Sequence, residues 1–154
     1  MLDIKPFRQS PAFCGPACLK MVLKYYGINK SEKELANLSG SRPAKGVGVE
    51  GLLKAAKALG FKGHVKDFSE IKDIKEYVIK KKNPLIVDWF STDDGHYSVV
   101  VDIDDKNIYM QDPELGNLRT MDIETFKRVW FDFTGDFLET KNDIIIRRMI
   151  AIYK

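Results

Sequence analysis

An α+β fold, with an α-helical half packed on an antiparallel sheet, is what this sequence predicts. Three observations predict it. Apolar residues recur at helical spacing through the first half, runs of β-branched and aromatic residues dominate the second, and short turns separate those runs.

The first helix follows Phe13-Cys14-Gly15-Pro16. Met21, Val22, Tyr25 and Tyr26 keep helical spacing, Pro16 suits a first turn, and Gly27 stops the pattern. Ser31 followed three positions later by Glu34 is a capping box, which starts a second helix running to Leu38. Val49 to Leu59 aligns Leu52, Leu53, Ala56 and Leu59 on one face and ends at Gly60, a third helix. Residues 40–46, glycine-flanked and basic, read as a surface loop leading into it; no Gly-Lys-Ser/Thr ending makes them a phosphate loop. Ser69 to Lys82 forms a fourth helix with Ile71, Ile74, Tyr77 and Val78 inward, and its Lys80-Lys81-Lys82 tail reads as a solvated helix end.

Strands are expected at Pro84–Phe90 and Tyr97–Ile103, both bounded by turn formers. Asp104 to Asn107 turns the chain into Ile108-Tyr109-Met110, and Asp112-Pro113 ends that strand. Asp122 caps a helix over Ile123–Trp130, and Ile144–Tyr153 is a final strand returning to the sheet.

A length of 154 residues suits a single domain, 1–154, with a core that needs no disulfide staples. The apolar fraction of 44% and charged fraction of 31% are those of a soluble globular protein. A net charge of +3, from 25 basic and 22 acidic residues spread throughout, argues against nucleic acid or an anionic membrane as partner. The first residues lack the apolar run of a signal peptide, and stretches such as Ile144-Ile145-Ile146 are far too short to span a bilayer. A cytoplasmic location is expected. Two cysteines do not make a disulfide framework.

The chemistry centres on Cys14. A sulfur at the mouth of a helix faces unpaired backbone N–H groups and the positive end of the dipole, both of which favour thiolate. A thiol nucleophile needs a base, and the base needs an orienting group. His96, after Asp94-Gly95 at the start of a strand, is the candidate base, and Asp112 the orienter. The hairpin between them returns the chain to the same end of the sheet, where neighbouring strands lie about 4.8 Å apart. The backbone N–H of Cys14 and the side-chain amide of Gln9 are candidate donors to an oxyanion.

Blander roles fit other residues. Cys18, one turn on, reads as a buried apolar side chain, and His64 as a structural histidine at a strand edge. Cys14 and Cys18 enclose three residues rather than the two of a redox motif. A zinc site from Cys14, Cys18, His64 and His96 lacks the short histidine spacing such sites use. The chemistry requires no metal or organic cofactor.

These residues resemble the bacteriocin-processing, or double-glycine leader, cysteine peptidases of the papain-like superfamily. The strongest part is Cys14-Gly15-Pro16-Ala17-Cys18-Leu19 with Met21 and Tyr25-Tyr26-Gly27. Support comes from Gly51 to Phe61, His96-Tyr97-Ser98-Val99-Val100 and Asp112-Pro113. The resemblance implies a papain-like fold and a Cys/His/Asp peptidase with an oxyanion-hole glutamine, carried here by Cys14, His96, Asp112 and Gln9. Gln9 lies five positions before Cys14, where relatives more often have six, so the connecting loop is expected to be shortened. The resemblance further implies a peptide or protein substrate cut after small residues, a leader peptide among them, and a separate export transporter as partner. The competing expectation is a peptide-binding module that keeps the peptidase shape without cutting.

Overall fold

The computed structural model describes residues 1–41 and 48–154, so most of the loop expected at 40–46 lies outside the described residues. Three helices open the chain: α1 (Cys14–Tyr25), α2 (Glu32–Ser39) and α3 (Val49–Ala58). Gly27, at φ +90°, takes the left-handed conformation that closes α1, where a side chain would be strained. The capping box of α2 forms as the sequence predicts, with the Ser31 hydroxyl accepting from the Glu34 N–H at 3.1 Å.

After β1 (Lys62–Lys66), the fourth helix is shorter than expected. It is α-helical as α4 (Ile71–Lys75) and widens into a π-turn over Glu76–Lys80. That turn is closed by Lys81 N–H donating to the Glu76 carbonyl at 3.0 Å.

The strands β2 (Leu85–Ser91), β3 (Asp94–Ile103), β4 (Asn107–Asp112) and β5 (Asn117–Asp122) follow as a meander, then α5 (Ile123–Val129). The expected final strand is two. β6 (Phe131–Phe133) pairs with β7 (Ile144–Ile146) in a small separate ribbon, and β8 (Arg148–Tyr153) joins the main sheet. Arg147, at φ +49°, is the break between them. The apolar run through residues 144–153 hides that break, because neither glycine nor proline marks it.

The main sheet has the order β1-β8-β2-β3-β4-β5 with antiparallel pairing throughout. Side chains alternate between its faces. Ile86, Val99, Val101, Ile150 and Ile152 pack with Leu19, Val22, Leu35 and Leu52 of α1–α3. Val87, Val100, Met110 and Met149 pack with Ile74, Val78, Phe126 and Trp130. Helices therefore cover both faces, which explains why β2 and β3 are continuous apolar runs rather than alternating ones. Each fully buried leucine or isoleucine contributes about 1.5–3 kcal/mol. The α+β class stands. The helical half covers one face, and α4 and α5 add a second layer on the other.

Candidate active site

Cys14 is the first residue of α1, so the sulfur sits at the mouth of that helix. Its side chain is half-buried. Gly15, Pro16 and Ala17 are buried behind it, which seats the helix mouth against the core.

His96 lies inside β3 rather than before it, because the strand begins at Asp94. It stands directly across from Trp89 of β2 and is buried, with the indole edge against its ring at a centroid distance of 5.7 Å. The register of β3 with β4 brings Val99 opposite Gln111. Asp112 therefore reaches the same end of the sheet as His96, as the hairpin argument requires. His96 Nε2 and Asp112 Oδ1 are 2.6 Å apart, a short charge-assisted hydrogen bond. With Nε2 committed, Nδ1 is left for the thiol, and Cys14 is a side-chain hydrogen-bond partner of His96.

Burial alone would pull the His96 pKa down. The hydrogen bonds from Asp112 and Cys14, and their charges, outweigh it and raise the value to about 9. For Asp112, burial pushes upward, but the bonds to His96, Arg119 and the Glu114 N–H leave it below the ordinary carboxylate value.

Gln9 sits on the loop before α1. Its backbone N–H donates to the Pro113 carbonyl at 2.8 Å, tying this loop to the turn after Asp112. Next to it, the Ser10 N–H and hydroxyl donate to the Glu32 carboxylate at 2.8 and 2.6 Å. Between Gln9 and Cys14, Ala12 takes the left-handed conformation at φ +65°. The Gln9 amide N–H donates only weakly, to the Ser10 carbonyl at 3.4 Å, and its Oε1 is buried with no hydrogen-bond partner among the described residues.

Gln9, Ala12, Cys14, Gly95, His96 and Glu114 line one open cleft of 430 Å³, whose remaining wall is residues 91–94. Three of the four expected residues thus share a cleft, and Asp112 stands behind His96. Cys18 is fully buried, and burial pushes its thiol pKa well up. His64 lies on the edge strand β1 between the Tyr77 and Tyr153 hydroxyls, as a structural histidine.

His96, Asp112 and Glu114 each bring one potential ligand atom within 4.8 Å of the others. The Nε2 and Oδ1 atoms a metal would need are already bonded to each other, so the group is a hydrogen-bonded pair with a neighbouring carboxylate.

Sequence reasoning missed four participants. Arg119 Nε donates to Asp112 Oδ2 at 2.6 Å, and the Glu114 N–H donates to Asp112 Oδ1 at 2.9 Å. Trp89, which donates to Ser98 Oγ at 3.0 Å, backs the histidine. Asp132, on β6, packs against Gly95 and hydrogen-bonds Asp88, which is buried under the site. A signal existed for Arg119. Residues 113–116 make a four-residue turn closed by Gly116 at φ +68°, which implies a hairpin that folds residue 119 back beside residue 112.

A helix mouth carrying a thiol beside a strand-borne imidazole, on this antiparallel scaffold, defines the papain-like α+β class of cysteine peptidase folds. Residues 7–141 match the family described as Peptidase C39. An uncharacterised protein of Methanothermobacter thermautotrophicus is 36% identical over 126 residues, covering 81% of this chain and 79% of its own length. The lactococcin-G-processing and transport ATP-binding protein LagD of Lactococcus lactis is 31% identical over 126 residues. That match covers 80% of this chain and 17% of LagD, so the chain corresponds to a small part of that protein. The crystal structure of the peptidase domain of Streptococcus ComA, a bifunctional ABC transporter involved in quorum sensing, superposes with a TM-score of 0.73 at 26% identity. It covers 97% of this chain and 98% of that domain. The chain belongs to the peptidase C39 family.

Proposed function

We propose that the protein is a thiol peptidase in which Cys14 is the nucleophile, His96 the general acid and base, Asp112 the orienter and Gln9 an oxyanion donor. One observation carries this reading above the others: a single imidazole is bonded on one side to Asp112 and on the other to Cys14, at the wall of an open cleft. A peptide-binding module has no need of that relay.

In the first half-reaction the sulfur of Cys14, its proton held on His96, attacks the scissile carbonyl carbon. The negative charge that develops on oxygen is met by the Cys14 backbone N–H and the Gln9 amide. The weak 3.4 Å bond of Gln9 to Ser10 is cheaply exchanged for that contact. The C–N bond then breaks as His96 returns its proton to the leaving amine, which leaves a thioester on Cys14. Water, deprotonated by the same imidazole, attacks the thioester and releases the acid. Asp112 stays ionised throughout and stabilises the imidazolium.

The substrate we infer is a peptide with small residues at the cut, a leader peptide being one case; a processing role is what LagD's name suggests. An export transporter is the partner this implies. Among the described residues no helix is long and apolar enough to cross a membrane. The reading places residues 1–154 in the cytoplasm as one peptidase domain.

The test is hydrolysis of quenched fluorescent peptides carrying Gly-Gly at the cleavage position. Wild type should cut them, and Cys14→Ala should lose cleavage while keeping its circular dichroism and melting transition. Equal cleavage by the two proteins would end the assignment.

A further inference from the structure

Both oxygens of the Asp112 carboxylate have partners. Oδ1 takes the His96 ring at 2.6 Å and the Glu114 N–H at 2.9 Å, and Oδ2 takes Arg119 Nε at 2.6 Å. Arg119 is delivered by register. Asn117 lies opposite Asp112 across the β4–β5 hairpin, and Arg119, two residues further, points to the same face. Its guanidinium lies over the Trp89 ring at 5.3 Å from the centroid, and Trp89 is itself edge-on to His96. The cation is therefore held from two directions, by a carboxylate and an aromatic face.

We propose that Arg119 is a positioning residue for the His96–Asp112 pair: it pins the outer oxygen of Asp112 and offsets its charge, so that the imidazole is oriented without becoming too strong a base. This rests on the Cys14/His96 reading above.

The charges around His96 explain the need. Asp112 faces it from β4, and the Glu114 carboxylate stands 3.8 Å from Nε2. Cys14 approaches from α1, Asp93 and Asp94 share the cleft wall, and the Asp88–Asp132 pair lies beyond Gly95. Of these, Asp112 and Cys14 favour imidazolium. A proton held too firmly cannot be passed to a leaving amine, and a cation beside Asp112 weakens the hold.

The experiment follows the His96 imidazole by NMR in the full chain as pH is raised, with His64, the second of two histidines, as internal reference. Arg119→Met and Arg119→Gln should let His96 keep its proton to a pH higher by about half a unit or more, with His64 unmoved. Arg119→Lys should restore most of the wild-type titration. Arg119 sits on an edge strand, and its side chain is 27% exposed, which favours folding of these variants. If the methionine variant does not fold, the glutamine and lysine variants decide alone, since one loses the charge and the other keeps it. A His96 titration in Arg119→Gln that matches wild type or falls below it overturns the proposal, whatever the melting temperature does. Failure of the enzymatic reading shows itself separately, as iodoacetamide alkylation of Cys14 that is indifferent to His96→Ala.

Discussion

Gly95 and Asp132 are in direct contact, with no room between them for a Cβ. Asp132 is not free to step aside, because its Oδ1 accepts the Phe133 N–H at 2.7 Å and its carboxylate also bonds Asp88. The residue before His96 is thus fixed by a contact from a different sheet. Gly95→Ala must push Asp132 off Asp88 or bend β3 beside His96. The expected cost is about 1–3 kcal/mol in chemical denaturation, with a fall in peptide cleavage larger than the loss of folded protein explains.

The Asp88–Asp132 pair also sets a pH dependence. Burial, then the hydrogen bond and charge of Asp132, raise the Asp88 pKa to about 9, against an unfolded value near the ordinary 3.8. Native Asp88 therefore holds a proton that the unfolded chain has lost at neutral pH. Its contribution to stability is full below about 3.8 and declines as pH rises to about 9. His96, raised from 6.5 to about 9, adds stability that is full below about 6.5 and is lost by about 9. Asp112, lowered, acts at the opposite end, losing its contribution as pH falls through its depressed value. Denaturation free energy should fall between pH 7 and 9 with a slope approaching about 1.4 kcal/mol per pH unit for each of the two protons. Asp88→Asn, whose amide can donate to Asp132 without ionising, should remove roughly half of that slope. An unchanged slope would show that Asp88 does not hold the proton.

Ala12 holds a left-handed backbone in the loop between Gln9 and Cys14. A left-handed φ costs a residue with a Cβ about 1 kcal/mol, and glycine avoids that cost while losing more entropy on folding. Ala12→Gly is expected to change stability by less than about 1 kcal/mol, in the stabilising direction. Cleavage should fall, because the Gln9 amide is then held less firmly; thermal melts and peptide hydrolysis measured together check both halves.

Much of this was readable from residue order. The Ser31–Glu34 capping box, Gly27 and the Asp122 cap carry their own local chemistry, and each acts where the sequence places it. Cys14, His96 and Asp112 meet because a helix start and a hairpin are both local features, and antiparallel register does the rest. What stayed hidden depends on tertiary context. β5 is an edge strand of mostly polar, half-exposed residues, so it lacks an apolar alternation to announce it, and Arg119 went with it. The split of residues 144–153 between two sheets turns on the backbone of Arg147, which has no composition signal. Asp88 sits in a run of apolar residues. Asp132, arriving from the β6–β7 ribbon, gives the buried carboxyl there a hydrogen-bond partner.

The central claim is that Cys14 is charged for attack by His96, and the reactivity of the sulfur measures this without knowledge of the substrate. Full-length protein is treated with iodoacetamide near pH 7 and the labelled cysteines are mapped over time. Cys14 should label at least tenfold faster than free cysteine, Cys18 hardly at all, and His96→Ala should abolish the advantage. Labelling of Cys14 at the rate of free cysteine, or an unaltered rate in His96→Ala, would contradict the account.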